Sequence, residues 1–229
     1  MRALLAIDAA GNACSAAVWR QGALRAQRRE ALARGQSERL LPLVEAVMAE
    51  ARQDFATLDA IAVTLGPGGF TGVRIGLAAA EGLALAHDLP ILGLSSFAVT
   101  AAAIDPAERA GANLLLLLDA KRAEVYAEAH DAEGRSLLAP TLIAPALLPE
   151  RLALGDGRWL LAGSAVGAAL PALSGRGIIA EAAPPALSEA AVLARVAAAL
   201  PPPPPGTRPQ PLYLREPDTT VPRAKAPRR

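Results

Sequence analysis

The chain has 229 residues, 52% of them hydrophobic and 3% aromatic, with a formal net charge of +1. So balanced a charge excludes a global field that would hold nucleic acid by counterion release, and so few rings exclude a base-stacking platform. The single cysteine, Cys14, excludes an internal disulfide, and the Ala, Leu, Val and Ile content is enough for one large core or two small ones.

Residues 2–8, 13–20 and 23–30 read as three consecutive strands joined by turns at Gly11-Asn12 and Gln21-Gly22. Cys14 falls in the second, where a small core residue is the plain reading. A helix is expected from Ser37 to Arg52, with Ser37 as N-cap and Pro42 as a kink. Its stripe is Leu40, Val44, Val47 and Ala51, widened by Leu41 and Met48. A strand at 58–65 then runs into Gly66-Pro67-Gly68-Gly69-Phe70-Thr71-Gly72-Val73-Arg74-Ile75-Gly76, which opens a second helix reaching about His87.

A glycine cluster at a strand-to-helix turn permits positive φ, and Gly68 or Gly72 is expected to use it; it also allows close backbone approach. The spacing fits neither standard nucleotide loop: Thr71 stands where the last glycine of GxGxxG belongs, and no Gly-Lys pair makes a P-loop. A strand follows near Pro90 to Leu94. Strand-strand-strand-helix-strand-helix-strand is the order of a ribonuclease-H-like domain.

The pattern then starts again. Asn113 to Asp119, Glu124 to His130 and Arg135 to Ile143 read as strands, with helices near 145–153, 164–172 and 188–200 and a strand near 158–162. The fold expected is therefore α/β, in the two-lobed ASKHA architecture of actin, sugar kinases and heat-shock ATPases, with each lobe ribonuclease-H-like and the second reduced. The lobes are placed at 1–105 and 106–200, divided where Asp105-Pro106 interrupts the pattern. Residues 201–229 form a proline-rich linker and tail, in which Pro201 to Pro205 is stiff polyproline. Arg223, Lys225, Arg228 and Arg229 lie in a solvated tail and have RNA as their alternative contact. The apolar start, Ala3 to Ile7, is too short for a signal peptide, and no apolar run nears the ~20 residues that span a bilayer, so a soluble, cytoplasmic protein without a membrane role is expected.

The run from Gly66 to Gly76 closely resembles the GPGSFTGxRIG motif of the bacterial TsaB family of tRNA threonylcarbamoyladenosine biosynthesis proteins, with Gly69 in place of the family's serine. Ala6-Ile7-Asp8 with Ala13 to Ala17, Leu117 to Ala120 with Glu124-Val125-Tyr126, and Pro211 to Arg215 agree with the family in the same order. The resemblance implies a non-catalytic subunit of the machinery that modifies the anticodon-adjacent adenosine in tRNAs reading codons that begin with A. It implies docking to TsaD, the catalytic paralogue that transfers threonylcarbamoyl from its adenylate, and a shared surface for the ATPase TsaE. Contact with tRNA would be indirect, and an isolated chain could form a homodimer through the same surface.

Candidate chemistry is sparse. Asp8 stands where two-lobed ATPases place a phosphate-organising carboxylate, but Ala9 and Ala10 follow it where relatives carry hydroxyls. Capping a turn and binding a metal-nucleotide are both open to it. Asp8, Gly68 and Thr71 are the candidate cofactor-binding residues, with ATP or ADP expected only in a multi-subunit complex. His87 and His130 form no ligand pair, Gln36 stands where the family often has histidine, and no metal site is expected. Asp119, Arg122 and Glu124 are either turn charges or catalytic carboxylates, with the former preferred. Arg74 either meets an anion at the glycine loop or pairs with Glu81 or Asp88. The second helix is apolar nearly all round, from Ile75 to Ala86, so it wants burial on its outer side too. With the first helix it forms the expected partner surface, carried by Leu41, Val44, Met48, Ala79, Ala80 and Leu83. No catalytic residue is expected; the rival readings are an ATP-dependent kinase-like enzyme and a glycoprotease-like metallopeptidase.

Overall fold

The computed structural model describes residues 3–32, 34–152, 157–174, 178–181, 189–204 and 206–215. The chain begins with β1 (Ala3–Asp8), β2 (Ala13–Arg20) and β3 (Ala23–Ala31), followed by α1 (Gln36–Glu50), β4 (Ala60–Thr64), α2 (Phe70–His87) and β5 (Ile91–Leu94). It continues through α3 (Ser96–Ala103) and α4 (Pro106–Arg109) into β6 (Asn113–Asp119), β7 (Val125–His130) and β8 (Ser136–Ile143). Then come α5 (Leu148–Arg151), β9 (Arg158–Ala162), α6 (Val166–Leu173), β10 (Ile178–Glu181) and α7 (Glu189–Ala199).

The strands make two five-stranded sheets, ordered β3-β2-β1-β4-β5 and β10-β9-β6-β7-β8. Read from its own first strand, the second order repeats the first. In each, an antiparallel three-strand meander is extended by parallel strands. The fold is the two-lobed α/β architecture expected.

In β1 the side chains alternate between two cores, as a strand covered on both faces requires. Leu5 and Ile7 face α1 and α2 together with Leu40, Val44, Val47 and Met48, while Leu4 and Ala6 face the opposite layer. That layer is α7. Ala190, Ala191, Ala194 and Ala197 meet Ala6, Ala17, Ala60 and Ala62, so small side chains on both surfaces bring helix and sheet close. The division at residue 105 placed this helix in the second lobe; instead the chain returns to complete the first. Ser15 Oγ on β2 accepts from the Ala190 amide at 3.0 Å, and Arg29 on β3 pairs with Glu189 at 3.0 Å, so both hold the start of α7.

The second sheet buries Leu115, Leu117 and Leu161 against α5 and α6. Its other face buries Leu114, Leu116 and Leu160 against Phe97 and Ile104 of the α3 segment. Helix α3 also gives Val99 to the first lobe's second core, so it packs between the lobes.

Two expectations about helix starts differ from the structure. The N-cap of α1 is Gly35, at φ 88°, while Ser37 lies one residue inside the helix and is exposed. Helix α2 starts at Phe70, three residues earlier than the Val73 that the sequence pattern suggests. Helix α3 and β10 gave no clear signal because each is short, eight and four residues. The expected role of the Thr219 to Arg229 tail falls outside the described residues. No helix among the described residues is long and apolar enough to cross a membrane.

Candidate functional site

The glycine loop lies where β4 ends and α2 begins, directly against the β1–β2 hairpin. A Cβ on Gly68 would stand 2.3 Å from the Ala10 carbonyl oxygen, and one on Gly72 would stand 2.0 Å from that of Ala9. No real Cβ tolerates such contacts with backbone. These two glycines therefore serve close approach, and the expected positive φ lies instead at Gly66, at 89°. The Gly69 amide donates to the Ala10 carbonyl at 2.8 Å, which fixes the hairpin on the N-terminus of α2. Gly69 is itself the N-cap, with φ −64°, and a Cβ there would meet only the Ala10 oxygen at an ordinary 3.7 Å.

Asp8 is buried at the end of β1. Burial pushes its carboxyl up to about 6 despite the Thr64 hydroxyl and Ala10 amide beside it, and the negative charge of Glu189 adds to the rise. Thr64 Oγ1 lies near that carboxylate but falls short of hydrogen-bond geometry and has no partner among the described residues. On β2, burial first, then Asp8 and Glu30, push the Cys14 thiol up to about 11, and Cys14 is a fully buried core residue as the sequence suggested.

In front of the hairpin is a cavity of about 360 Å3 lined by Asn12, Arg34, Ser37, Phe70, Thr71 and Lys121, among others. The first turns of α1 and α2 both border it, and neither has a side-chain cap. Of the three candidate cofactor residues, Thr71 lines this cavity, Gly68 is sealed beneath Ala10, and Asp8 is not part of the lining. The three do not form one site.

Asp119, Arg122 and Glu124 sit in the β6–β7 turn region. Burial would raise the Asp119 carboxyl, but the Lys121 amide and ammonium and the Asn12 side chain bring it below its ordinary value. Lys121 also hydrogen-bonds Asn12 of the first hairpin, linking the two lobes at the cavity. Glu124 pairs with Arg215 at 2.6 Å. These pairings fit turn charges. His87 stacks on Phe55 and His130 contacts Glu128 at 3.1 Å; among the described residues no three potential metal ligands cluster.

Arg74 meets aromatic side chains in place of the expected Glu81 or Asp88. Its guanidinium lies 3.6 Å from the centre of the Phe70 ring, and its Nε–H donates to the Tyr213 hydroxyl at 3.1 Å. Tyr213 in turn packs on Phe70 with ring centroids 5.0 Å apart. Sequence reasoning missed this group because it joins residues 139 apart.

The partner surface expected on α1 and α2 divides. Val44, Met48 and Ala80 are buried against the sheet and are unavailable to a partner; Ala79 and Leu83 are half-buried. Leu41 remains 47% exposed, and it is joined by Leu85, 82% exposed, which sequence reasoning placed in the apolar helix without singling it out. Ala78, Gly82 and Ala86 share the exposed face of α2 with Leu85.

Two ribonuclease-H-like sheets in tandem, joined through α3 and α4, make the two-lobed fold of the ASKHA class. The activator of 2-hydroxyisocaproyl-CoA dehydratase from Clostridium difficile shares this fold, with a TM-score of 0.50 at 12% identity over 85% of this chain and 94% of that one. A Pseudomonas aeruginosa structure described as an uncharacterized protein with similarity to peptidase YeaZ matches with a TM-score of 0.72 and 29% identity, covering 94% of this chain and all of that one. The family model described as TsaD, tRNA N6-adenosine threonylcarbamoyltransferase, matches residues 29–147. The Escherichia coli tRNA threonylcarbamoyladenosine biosynthesis protein TsaB is 32% identical over 165 residues, 70% of this chain and 71% of the relative. The chain belongs to the TsaB family.

Two predictions follow from the hairpin contact. Gly72→Ala should destabilise the fold by about 2–4 kcal/mol in urea, because backbone must move to admit the methyl group, whereas Gly69→Ser should be neutral or add a few tenths by supplying a cap. Equal stability of the two variants would disprove the close-approach account.

Asp8 binds a proton more tightly folded than unfolded. Its effect is therefore absent below the unfolded value of 3.8, and its stability cost grows as pH rises to about 6, staying full above that. Asp8→Asn keeps an acceptor for the hairpin and should raise stability by about 1–3 kcal/mol at pH 7–8, an advantage that vanishes below pH 4. Unfolding curves at the two pH values decide this.

Proposed function

We propose that this chain is a non-catalytic subunit in tRNA threonylcarbamoyladenosine biosynthesis, docking a catalytic TsaD-family subunit through the outer face of α1 and α2. Membership of the TsaB family supports the process. The observation that carries the docking role is the pair Leu41 and Leu85, left 47% and 82% exposed on a helix pair whose other faces are packed. Leu85, held that far into water among the exposed Ala78, Gly82 and Ala86, suits a closely approaching partner helix, and Leu41 adds a second exposed leucine on α1.

The hairpin supports the accessory reading over the kinase-like one. Where a phosphate loop would offer hydroxyls and amides, Ala9 and Ala10 present carbonyl oxygens closed onto Gly72 and Gly68. An adenine nucleotide is expected only in the assembled complex, where a second subunit completes the cavity beside Arg34 and Lys121. TsaE is expected to bind that complex, tRNA to be engaged through the catalytic subunit, and the isolated chain to form a homodimer through the same face. The cytoplasm is the compartment this role requires.

Leu85→Arg and Leu41→Arg should each leave the monomer folded, within about 0.5 kcal/mol of the parent, since solvent accepts the charge. In the complex the new charge would be buried without a counterpart, at a cost of about 3–5 kcal/mol. Co-purification with the TsaD-family subunit and threonylcarbamoylation should both fall in at least one variant. Parental binding by both well-folded variants would place the interface elsewhere.

A further inference from the structure

The segment Pro209–Arg215 crosses from one lobe to the other within a few residues. Its first part lies on the first lobe. The Leu212 amide donates to the Leu65 carbonyl at 2.8 Å. Pro209 lies over Gly93 of β5, where any Cβ would come within 2.7 Å of it. Tyr213 then closes on Phe70 and Arg74 in the first turns of α2. Gly66 has the Leu212 carbonyl above it, 3.1 Å from where its Cβ would be.

The last two residues belong to the second lobe. Leu214 enters the core formed by Phe97, Leu116 and Leu160. The Arg215 guanidinium donates to the Ala120 carbonyl at 3.0 Å and to the Glu124 carboxylate at 2.6 Å, both flanking the β6–β7 turn. The Arg215 side chain is 20% exposed and that of Glu124 42%, so the charge-assisted contact is partly screened, and the Ala120 carbonyl adds a second bond that holds the guanidinium in place.

We propose that Pro209–Arg215 is an interlobe latch, anchored by Arg215 on the second lobe and by Leu212 and Tyr213 on the first, which fixes the start of α2 relative to the second lobe. Opening it frees the lobes to rotate about α3 and the Asn12–Lys121 contact. The Phe70–Arg74 turn then loses its cover, and the α1–α2 face shifts against the second lobe. The consequence for partner binding rests on the docking role proposed above; the latch itself rests only on these contacts.

The test uses the full chain. Ala49 on α1 and Ala132 on the β7–β8 turn are both exposed, so Ala49→Cys and Ala132→Cys accept spin labels, while buried Cys14 stays unreacted. The parent should give one narrow interlobe distance. Arg215→Ala should broaden it and speed exchange of the Leu212 amide about tenfold or more, although that amide is bonded on the other lobe. Tyr213→Phe deletes only a hydroxyl at a 39% exposed residue, so it stays folded and should speed the same amide a few-fold. An unchanged Leu212 amide in both variants, or a distance still narrow in Arg215→Ala, overturns the latch. A broadened distance with parental affinity for the TsaD-family subunit keeps the latch and refutes its coupling to docking.

Discussion

The carbonyl oxygens of Ala9 and Ala10 rest on the bare Cα atoms of Gly72 and Gly68, and the architecture of the first lobe depends on that contact. It fixes the β1–β2 hairpin against the start of α2, and the hydrogen bond from Gly69 to Ala10 seals it. Once α2 is seated there, its inner residues Val73, Ala80 and Ala84 fall on the sheet, and Leu85 is left facing outward. A side chain at either glycine would lift the helix from the hairpin and move everything carried on it. The same contact packs both carbonyl oxygens against the start of α2, and Ala9 and Ala10 carry no hydroxyl with which the hairpin could hold a phosphate.

The second organising theme is return of the chain. Helix α7 comes back after the second sheet to cover the first, and Pro209–Arg215 comes back again to lie across β4, β5 and α2 before ending on the β6–β7 turn. The alanine content that looks compositional has a structural use here. Ala190, Ala194 and Ala197 on α7 and Ala6, Ala60 and Ala62 on the sheet allow a close approach that larger residues would prevent. Each return ties distant sequence together through few but specific polar contacts, such as Ser15 with Ala190 and Arg215 with Glu124.

Much of the fold was legible because its elements obey local periodicity. β1, β2 and β6 are apolar runs bounded by turn residues, and the glycine run between β4 and α2 was recognisable as a motif with a definite place in the chain. What failed did so for long-range reasons. The glycines were read for positive φ when the constraint came from Ala9 and Ala10, about 60 residues earlier in the chain. Arg74 was read against neighbours on its own helix when its partner was Tyr213. Val44, Met48 and Ala80 were read as outward because an alanine-rich helix has no strong polar face to fix its rotation; only packing on the sheet shows which side is in.

In the role proposed for it, the chain would supply position instead of chemistry: the two-lobed body would present one helix pair, and catalysis would belong to the partner. The most direct measurement is a calorimetric titration of the isolated chain with magnesium and ATP. The account predicts binding weaker than micromolar, since Ala9 and Ala10 bring no hydroxyl to the hairpin and the candidate residues Asp8, Gly68 and Thr71 do not converge. A dissociation constant of micromolar or tighter, equivalent to about −8 kcal/mol or better, would contradict it and favour a kinase-like enzyme.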